Sequence, residues 1–238
     1  MVQRGLAETG SRAQALILAG KVRAPGVKNL KPGEKVAVDQ PLELIEDLPY
    51  VSRGGLKLKA ALEAFGIVPG GRVCVDIGAS TGGFTDCLLQ GGAQKVLAVD
   101  VGHGQLHWKL RNDPRVTNRE KCHVLKLARA DVDAFVGTAR PVLVTVDVSF
   151  ISLEKVWPAL AALFDAGTEC VALVKPQFEA GPKDAPKGVV RDPAVRERVR
   201  REAAARARAA GWDVRGDVDC PVLGPEGNQE ILMRLVRQ

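Results

Sequence analysis

Several short apolar runs of this sequence end at a charged residue. The residues that close these runs include Asp100, Asp147 and Lys175, and Glu230 directly precedes the last apolar run. A carboxylate can orient a neighbouring ammonium group, and a lysine in a fixed position can exchange a proton with a reacting hydroxyl group. These residue types indicate a site that positions a polar substrate. Any single lysine in a chain with 34 Lys and Arg residues is, however, more often a solvated surface group.

The apolar runs themselves predict how these charges are positioned. Four of them lie at residues 72–77, 95–100, 142–147 and 170–175. Nearly continuous apolar runs are typical of strands buried on both faces of a parallel sheet, with helices between them. In such doubly wound sheets, ligands bind beyond the carboxyl ends of the strands. The sequence therefore predicts a Rossmann-like α/β fold with a mostly parallel sheet, in which Asp147 and Lys175 project into one cleft.

A glycine-rich loop follows the first of these runs. It reads Asp76-Ile-Gly-Ala-Ser-Thr-Gly-Gly-Phe84. Glycines let the backbone turn tightly and approach a ligand closely. The carboxylate of Asp76 is unfavourable beside a phosphate, but it suits a cofactor that lacks phosphate and carries cationic groups. S-adenosylmethionine, with its sulfonium and ammonium groups, is such a cofactor.

Asp100 supports the same interpretation. It closes the second run 24 positions after Asp76, where an acidic residue commonly accepts hydrogen bonds from ribose hydroxyls. A dinucleotide-binding fold has the same strand, glycine turn and acid. Its Gly-x-Gly-x-x-Gly pattern is absent here, because the glycines stand at positions 78, 82 and 83. The spacing therefore favours a methyl donor over a nicotinamide cofactor.

The first 48 residues have a different pattern, which predicts a separate small α+β domain. A short helix signature begins at Ser11, the expected N-cap of a capping box that Gln14 completes, and stops at Gly20. Pro-Gly turns then separate short apolar segments, such as 35–38 and 42–45.

Positive charge is concentrated in the same part of the chain. Residues 1–60 carry +4 of the net charge of +6. An excess of basic groups suits binding to a polyanion such as RNA, although a solvated basic face is an equal alternative. A second basic stretch, 191–208, predicts a surface helix that Asp192 caps and Pro193 begins. Its arginines are either solvated or in contact with phosphates, and a solvated face is favoured. The candidates for contact with RNA are Arg12, Lys21, Arg23 and Arg53.

Other kinds of site and location have little support in the sequence. The five cysteines are scattered and never form a Cys-x-x-Cys pair, which is typical of reduced, buried side chains. His103 and His107 have no third ligand beside them, so no metal site is predicted. No apolar run approaches the roughly 18 residues that span a bilayer, and the N-terminus has no apolar signal core. We therefore expect a cytoplasmic protein with neither a membrane nor a metal partner.

Five motifs resemble those of one known family, in the order in which they occur. They are Tyr-Val-Ser-Arg-Gly-Gly-x-Lys-Leu, Asp-Ile-Gly-Ala-Ser-Thr-Gly-Gly-Phe-Thr-Asp, Asp-Val-Gly-x-Gly-Gln-Leu-His-Trp-Lys-Leu-Arg, Asp-Val-Ser-Phe-Ile-Ser-Leu and Val-Lys-Pro-Gln-Phe-Glu. Over nearly its whole length the chain resembles the hemolysin A (TlyA) family, relatives of the FtsJ-type ribose methyltransferases. The stretch Arg-Ala-Gln-Ala-Leu-Ile-Leu-Ala-Gly-Lys-Val resembles the alpha-L RNA-binding fold.

This resemblance implies an S-adenosylmethionine-dependent enzyme that methylates a ribose 2'-hydroxyl of cytidine in small- or large-subunit rRNA. It implies an alpha-L RNA-binding domain at residues 1–48, shortened at its N-terminus, and a methyltransferase domain at residues 49–238. The implied catalytic tetrad is Lys57, Asp147, Lys175 and Glu230. The implied cofactor-binding residues are Asp76, Gly78, Ala79, Ser80, Thr81, Gly82, Gly83, Phe84 and Asp100.

Some points stay open at this level. Lys187 stands where the family has a glycine, and residues 117–131 match the family poorly, so no residue is assigned to the adenine. Lys175 is a candidate for either the general base or an orienting cation. The alternatives to the enzyme are a non-catalytic ribosome-binding protein that keeps the fold and a membrane-lysing protein, which no amphipathic apolar helix of the sequence supports.

Overall fold

The computed structural model describes residues 1–18, 21–27, 30–44, 48–139, 142–224 and 226–238. The chain divides into two compact units, Met1–Leu48 and Pro49–Gln238.

The small unit contains one α-helix and a two-stranded antiparallel sheet. Its elements are α1 (Gly10–Leu18), β1 (Val22–Arg23) and β2 (Glu43–Leu44). The backbone N–H of Arg12 donates to Thr9 Oγ1 at 3.2 Å, so the residue that caps α1 is Thr9. The expected N-cap at Ser11 is therefore wrong, because the helix begins one position before that serine.

Other predictions for the small unit have mixed outcomes. The apolar segment 35–38 forms no strand, and Val38 is 94% exposed. The predicted helix stop at Gly20 and the end of segment 42–45 lie outside the described residues.

The large unit alternates strands and helices along the chain. Its strands are β3 (Val73–Ile77), β4 (Lys95–Val99), β5 (Val116–Arg119), β6 (Val142–Val146), β7 (Glu169–Val174), β8 (Trp212–Asp219) and β9 (Ile231–Arg237). Its helices are α2 (Gly54–Phe65), α3 (Gly83–Gln90), α4 (Trp108–Arg111), α5 (Arg129–Val136), α6 (Leu153–Leu163), α7 (Pro176–Glu179) and α8 (Pro193–Ala209).

The seven described strands of this unit form one sheet in the order β5-β4-β3-β6-β7-β9-β8. Strands β3 to β7 pair in parallel, whereas β9 pairs antiparallel with both β7 and β8. All four apolar runs singled out in the sequence lie on parallel strands. The prediction of a Rossmann-like, mostly parallel sheet is confirmed. The antiparallel β9 brings Glu230, which precedes it, to the same sheet edge as the ends of β6 and β7.

Both faces of the sheet are covered, as continuous apolar strands require. Successive side chains of a strand point to opposite faces. In β3, Val75 joins a core cluster with α5, α6 and α8, while Cys74 joins another with α2 and α3. Trp157 of α6 and Trp212 of β8 are fully buried in the first cluster.

Helix α8 confirms the predicted basic helix and its start. The Ala194 N–H donates to Asp192 Oδ1 at 2.8 Å, which makes Asp192 the N-cap. Four arginines of α8 form ion pairs with residues outside the helix: Arg196 with Asp219, Arg198 with Asp184, Arg200 with Asp217 and Asp219, and Arg206 with Glu179. Much of the basic charge of α8 is therefore paired with carboxylates of the protein itself.

Membrane-spanning helices, metal ligands and cysteines were also considered in the sequence, and the described residues bear on all three. None of the described helices is long and apolar enough to span a membrane. Among the described residues, no group of three or more His, Cys, Asp or Glu side chains could hold a metal ion. Four of the five free cysteines are buried, and Cys122 is partly exposed.

Candidate active site

Two ion pairs lie together at the carboxyl ends of the central strands. Lys175 Nζ lies 2.6 Å from Asp147 Oδ1, and Lys57 Nζ lies 2.5 Å from Glu230 Oε2. All four residues line one cavity of about 560 Å³. The structure therefore brings together the four residues that the family resemblance implied as a tetrad.

The fold explains how each member of this tetrad is positioned. Asp147 directly follows β6, and its N–H donates to the carbonyl of Ile77 at 2.9 Å. Lys175 directly follows β7, and its side chain also donates to Ser149 Oγ at 2.8 Å. Lys57 lies in the first turn of α2. Residues from four separate elements thus meet at one sheet edge.

The Lys57–Glu230 ion pair of the tetrad is buried, so its charges must be compensated by each other and not by water. The side chains of Glu230 and Lys57 are only 1% and 10% exposed. Each ammonium group lies against one carboxylate, so the two positive and two negative charges compensate one another. Gln177 Nε2 donates to Glu230 Oε1 at 3.4 Å, whereas its buried Oε1 has no partner among the described residues. That oxygen is available to accept a hydrogen bond from a bound molecule.

The glycine-rich loop forms the wall of the same cavity. Gly78, Ala79, Ser80, Thr81, Gly83 and Phe84 line it. At Gly78, φ is +85° and an added Cβ would lie 2.5 Å from the carbonyl oxygen of Asp147, so only glycine fits. Gly82 was expected to contact the cofactor, but it does not lie at the cavity surface. It packs against the side chains of Leu106 and Leu110 and is not among the residues that line the cavity.

Asp76 also departs from the expectation. Its carboxylate is fully buried beneath the loop, accepts hydrogen bonds from Thr85 Oγ1 at 2.7 Å and Thr145 Oγ1 at 2.8 Å, and does not line the cavity. Burial raises its pKa to about 6, the two threonine hydroxyls oppose that rise, and the charge of Asp147 adds to it. The structure therefore contradicts the expected direct contact between Asp76 and a cationic group of the cofactor. Asp76 supports the loop from below, because the threonines occupy both of its oxygens.

Asp100 lies beside a second cavity of about 260 Å³, which shares Gly78, Ser80 and Asp147 with the first. The backbone N–H groups of Ser80 and Gly102 donate to its carboxylate at 2.8 and 2.6 Å. These bonds fix the carboxylate at the cavity wall, where it can accept hydrogen bonds from a ligand. The placement agrees with the expected ribose contact.

Sequence reasoning missed the residues that form the far side of this second cavity. Cys122, His123 and Val124 line it, and all of them belong to the poorly matching stretch 117–131. Glu120, from the same stretch, accepts hydrogen bonds from the N–H groups of Gln105 and Leu106. The backbone hydrogen bond from Gly104 is the main cause that lowers the pKa of Glu120 to about 2. These residues follow β5, whose sequence Val-Thr-Asn-Arg is not an apolar run, so the pattern that revealed the other parallel strands gave no signal here.

Asn228 is another residue without a predicted role. It is 2% exposed and lines the first cavity. Its Oδ1 accepts from Val190 N–H at 2.9 Å, and its Nδ2 donates to the Gly188 carbonyl at 2.8 Å. Asn228 thereby fixes the loop that carries Lys187 against the segment leading to Glu230. Lys187 itself has a φ of +56°, the backbone region that favours glycine.

The predicted RNA contacts lie in both units. Arg53 is exposed and lines the rim of the first cavity. Arg12 and Arg23 are exposed in the small unit, and Lys21 is partly exposed there. Their role in binding RNA stays a prediction.

The chain matches the family of FtsJ-like methyltransferases over residues 50–237. It is 46% identical to the 16S/23S rRNA (cytidine-2'-O)-methyltransferase TlyA of Mycobacterium tuberculosis, over 100% of this chain and 88% of the relative. The resemblance inferred from the five motifs is thereby confirmed.

Solved structures extend the comparison to the fold. A protein of Streptococcus thermophilus, provisionally described as a hemolysin, superposes with a TM-score of 0.78 at 43% identity, over 99% of this chain and 86% of that chain. A geranyl diphosphate methyltransferase in complex with S-adenosylmethionine has the same fold, with a TM-score of 0.53 at 17% identity over 77% of this chain and 85% of that one. Because the family match covers residues 50–237 and the M. tuberculosis relative is 46% identical over the whole chain, the chain belongs to the FtsJ-like methyltransferase family.

Proposed function

We propose that this protein transfers the methyl group of S-adenosylmethionine to a ribose 2'-hydroxyl of ribosomal RNA, at a cytidine. The observation that carries the proposal is the pair of ion pairs, Lys175–Asp147 and Lys57–Glu230, in a cavity walled by the glycine loop. The relative from M. tuberculosis is named for this reaction. Because its proposed substrate belongs to ribosomes, we expect the protein to act in the cytoplasm.

The residues at the loop fit S-adenosylmethionine. Gly78 packs against the backbone of Asp147, where no side chain would fit, and it lines both cavities, so the turn of the loop borders the space that a ligand would occupy. Asp100 would accept hydrogen bonds from the ribose of the cofactor, and Val124 and His123 would flank its adenine in the second cavity. When bound, the cofactor supplies an electrophilic methyl group on its sulfonium.

The tetrad would then position the acceptor hydroxyl. Lys175, held between Asp147 and Ser149, would donate a hydrogen bond to the 2'-oxygen and so point it toward the methyl group. Asp147 would accept the hydroxyl hydrogen. The contacts with Asp147 and Ser149 fix the direction of the Lys175 side chain, which supports the orienting role over that of a general base.

The acceptor nucleotide would lie against aromatic side chains at the mouth of the cavity. Phe150 is 91% exposed, has a φ of +64°, and stands 5.2 Å from the ring of Phe178. An exposed aromatic ring held in a strained backbone conformation suits stacking against a nucleobase. Arg53 on the rim would contact a phosphate, and Gln177 Oε1 would accept a hydrogen bond from the nucleotide.

The small unit would serve as the RNA-binding domain, of the alpha-L type, through Arg12, Lys21 and Arg23. Phosphate contacts make RNA affinity fall with salt. The double variant Arg12→Glu, Arg23→Glu of the full chain should therefore bind ribosomal RNA more weakly and with a smaller salt dependence. Filter binding at several salt concentrations measures this. An unchanged salt dependence would exclude these arginines from the interface.

Methylation of ribosomal RNA tests the proposed function directly. The protein is incubated with isotopically labelled S-adenosylmethionine and with deproteinised rRNA or intact subunits, and ribose methylation is mapped. We expect Lys175→Ala to abolish turnover while cofactor affinity, measured by calorimetry, stays the same. Lys155→Ala, at an exposed lysine of α6, is the matched control. If the cofactor binds and no RNA gains a ribose methyl group, the proposed function is wrong.

A further inference from the structure

One large aromatic side chain of the large unit has no role in the site described above. Trp108, in the short helix α4, is 70% exposed. The other two tryptophans, Trp157 and Trp212, are fully buried and pack against each other with ring centroids 6.2 Å apart. A single exposed hydrophobic residue needs no explanation by itself. The surroundings of Trp108, however, are specific.

The backbone that carries Trp108 is fixed to the glycine loop. His107 N–H donates to the carbonyl of Thr81 at 3.1 Å, and Thr81 lines the first cavity. Leu106 and Leu110 are buried and fill the space beside Gly82. The indole is therefore presented to solvent from a rigid support next to the reaction cavity, which lowers the entropic cost of binding a ligand to it.

Basic and aromatic groups surround the indole. The ring of His107 lies 5.8 Å from that of Trp108, tilted by 33°. Lys109 is 61% exposed and lies 3.9 Å from Asp86 Oδ1, and Arg111 is 41% exposed and pairs with Glu120. Most of the Lys109 side chain is therefore exposed to solvent. Exposed aromatic rings next to cations are the combination that binds single-stranded nucleic acid, since bases stack on the rings and phosphates contact the cations.

We propose that Trp108 stacks against an unpaired base of the RNA next to the methylated nucleotide, with Lys109 contacting the adjoining phosphate. This inference rests on the proposed function, because it takes RNA as the substrate. It assigns to Trp108 a contact outside the cavity, which holds the RNA strand while the target ribose enters.

The fluorescence of the protein provides a selective measurement. Because Trp157 and Trp212 are fully buried, quenching by acrylamide reports mainly on Trp108. We expect saturating deproteinised ribosomal RNA to quench the emission of the full-length protein and to protect it from acrylamide. Trp108→Phe should lose both effects and keep most of the RNA affinity, because phenylalanine still offers a ring.

Affinity measurements complete the test. Trp108→Ala should weaken RNA binding by about tenfold, which corresponds to roughly 1.4 kcal/mol and lies within the range of base–aromatic stacking. Its affinity for S-adenosylmethionine should stay unchanged. Val68→Ala, at a position 71% exposed, is the control for loss of an exposed hydrophobic side chain.

The outcomes separate this inference from the proposed function. Suppose that RNA binds and is methylated, that the fluorescence of the wild-type protein does not respond to RNA, and that Trp108→Ala binds RNA with wild-type affinity. The stacking contact is then wrong and the proposed function stands. If the wild-type protein neither binds nor methylates any RNA, both are wrong. A tenfold loss of RNA affinity in Trp108→Ala, with normal cofactor binding, supports the contact.

Discussion

The ammonium group of Lys57 lies 2.5 Å from the carboxylate of Glu230, although 173 positions separate the two residues in the chain. Lys57 comes from the first turn of α2, and Glu230 from the residue before the antiparallel strand β9. Both side chains are buried, so each charge depends on the other for compensation. This contact joins the first and last segments of the large unit that contribute to the cavity.

Breaking this ion pair should strongly destabilise the protein. Glu230→Gln keeps the shape of the side chain but leaves the ammonium of Lys57 buried without a counter-charge. We expect the free energy of unfolding, from urea denaturation, to fall by roughly 3–5 kcal/mol. The matched control is Glu63→Gln, which breaks an exposed pair with Lys59 on α2 and should cost less than about 1 kcal/mol. Equal effects of the two variants would show that the buried pair has no special role.

Gly78→Ala should disrupt the cofactor loop. The new methyl group would lie 2.5 Å from the carbonyl oxygen of Asp147, at a φ of +85°. Gly167→Ala, at a φ of +83° with nothing within 4 Å, has the same backbone strain without the clash. We expect the control to lose about 1–2 kcal/mol of stability. Gly78→Ala should lose clearly more, together with affinity for S-adenosylmethionine. Calorimetry and thermal unfolding measure both, and equal losses would contradict the clash.

Asp76 should make stability depend on pH. Burial raises the pKa of its carboxyl from 3.8 to about 6 in the folded protein. The folded state is therefore most favoured when Asp76 is protonated, below about pH 4, and this contribution is lost as the pH rises through about 6. In Asp76→Asn the contribution disappears, so the stability of the variant relative to wild type should rise by up to about 3 kcal/mol between pH 4 and pH 7.

Urea denaturation of wild type and Asp76→Asn across this pH range measures the effect. Taking the difference between the two proteins removes the contributions of all other titrating groups. A difference that does not vary with pH would mean that Asp76 titrates near its usual value.

Asn228 should control the loop that carries Lys187. Asn228→Ala removes the hydrogen bonds to Val190 and Gly188, each of which contributes roughly 1 kcal/mol. We expect trypsin to cleave this variant faster after Lys187, which is exposed. Turnover should also fall several-fold while cofactor affinity stays the same. Loss of the faster cleavage in the double variant Asn228→Ala, Lys187→Ala would identify Lys187 as the cleavage site. If Asn228→Ala is cleaved at the wild-type rate, Asn228 does not hold this loop in place.

The fold was largely predictable because its signals are local. The apolar run that became β6 is long enough to require burial on both faces, and it ends at Asp147 whatever its neighbours are. The glycines of the loop also predict a tight turn from neighbouring residues alone. Asp192 followed by Pro193 predicted the start of α8 correctly, because a cap depends only on residues within one turn.

The direction of a buried side chain was less predictable. Asp76 was expected to face a cofactor, but the hydroxyls of Thr85 and Thr145 take up its carboxylate. Thr145 lies on the neighbouring strand β6, paired with Asp76 in the sheet register. No spacing along the chain reveals that partner, because strand order is decided by packing of the whole sheet.

The sequence by itself determined the four central strands β3, β4, β6 and β7, the glycine loop and the identities of the four charged residues of the tetrad. Only the tertiary structure decided which charges pair, Lys57 with Glu230 and Lys175 with Asp147. It also decided that Glu120 and Asn228 hold the surrounding loops in place. The physical reason is range, because periodicity and caps act within a few residues, whereas these contacts depend on the order of the strands in the sheet. The Lys57–Glu230 pair, for example, forms because β9 inserts antiparallel beside β7.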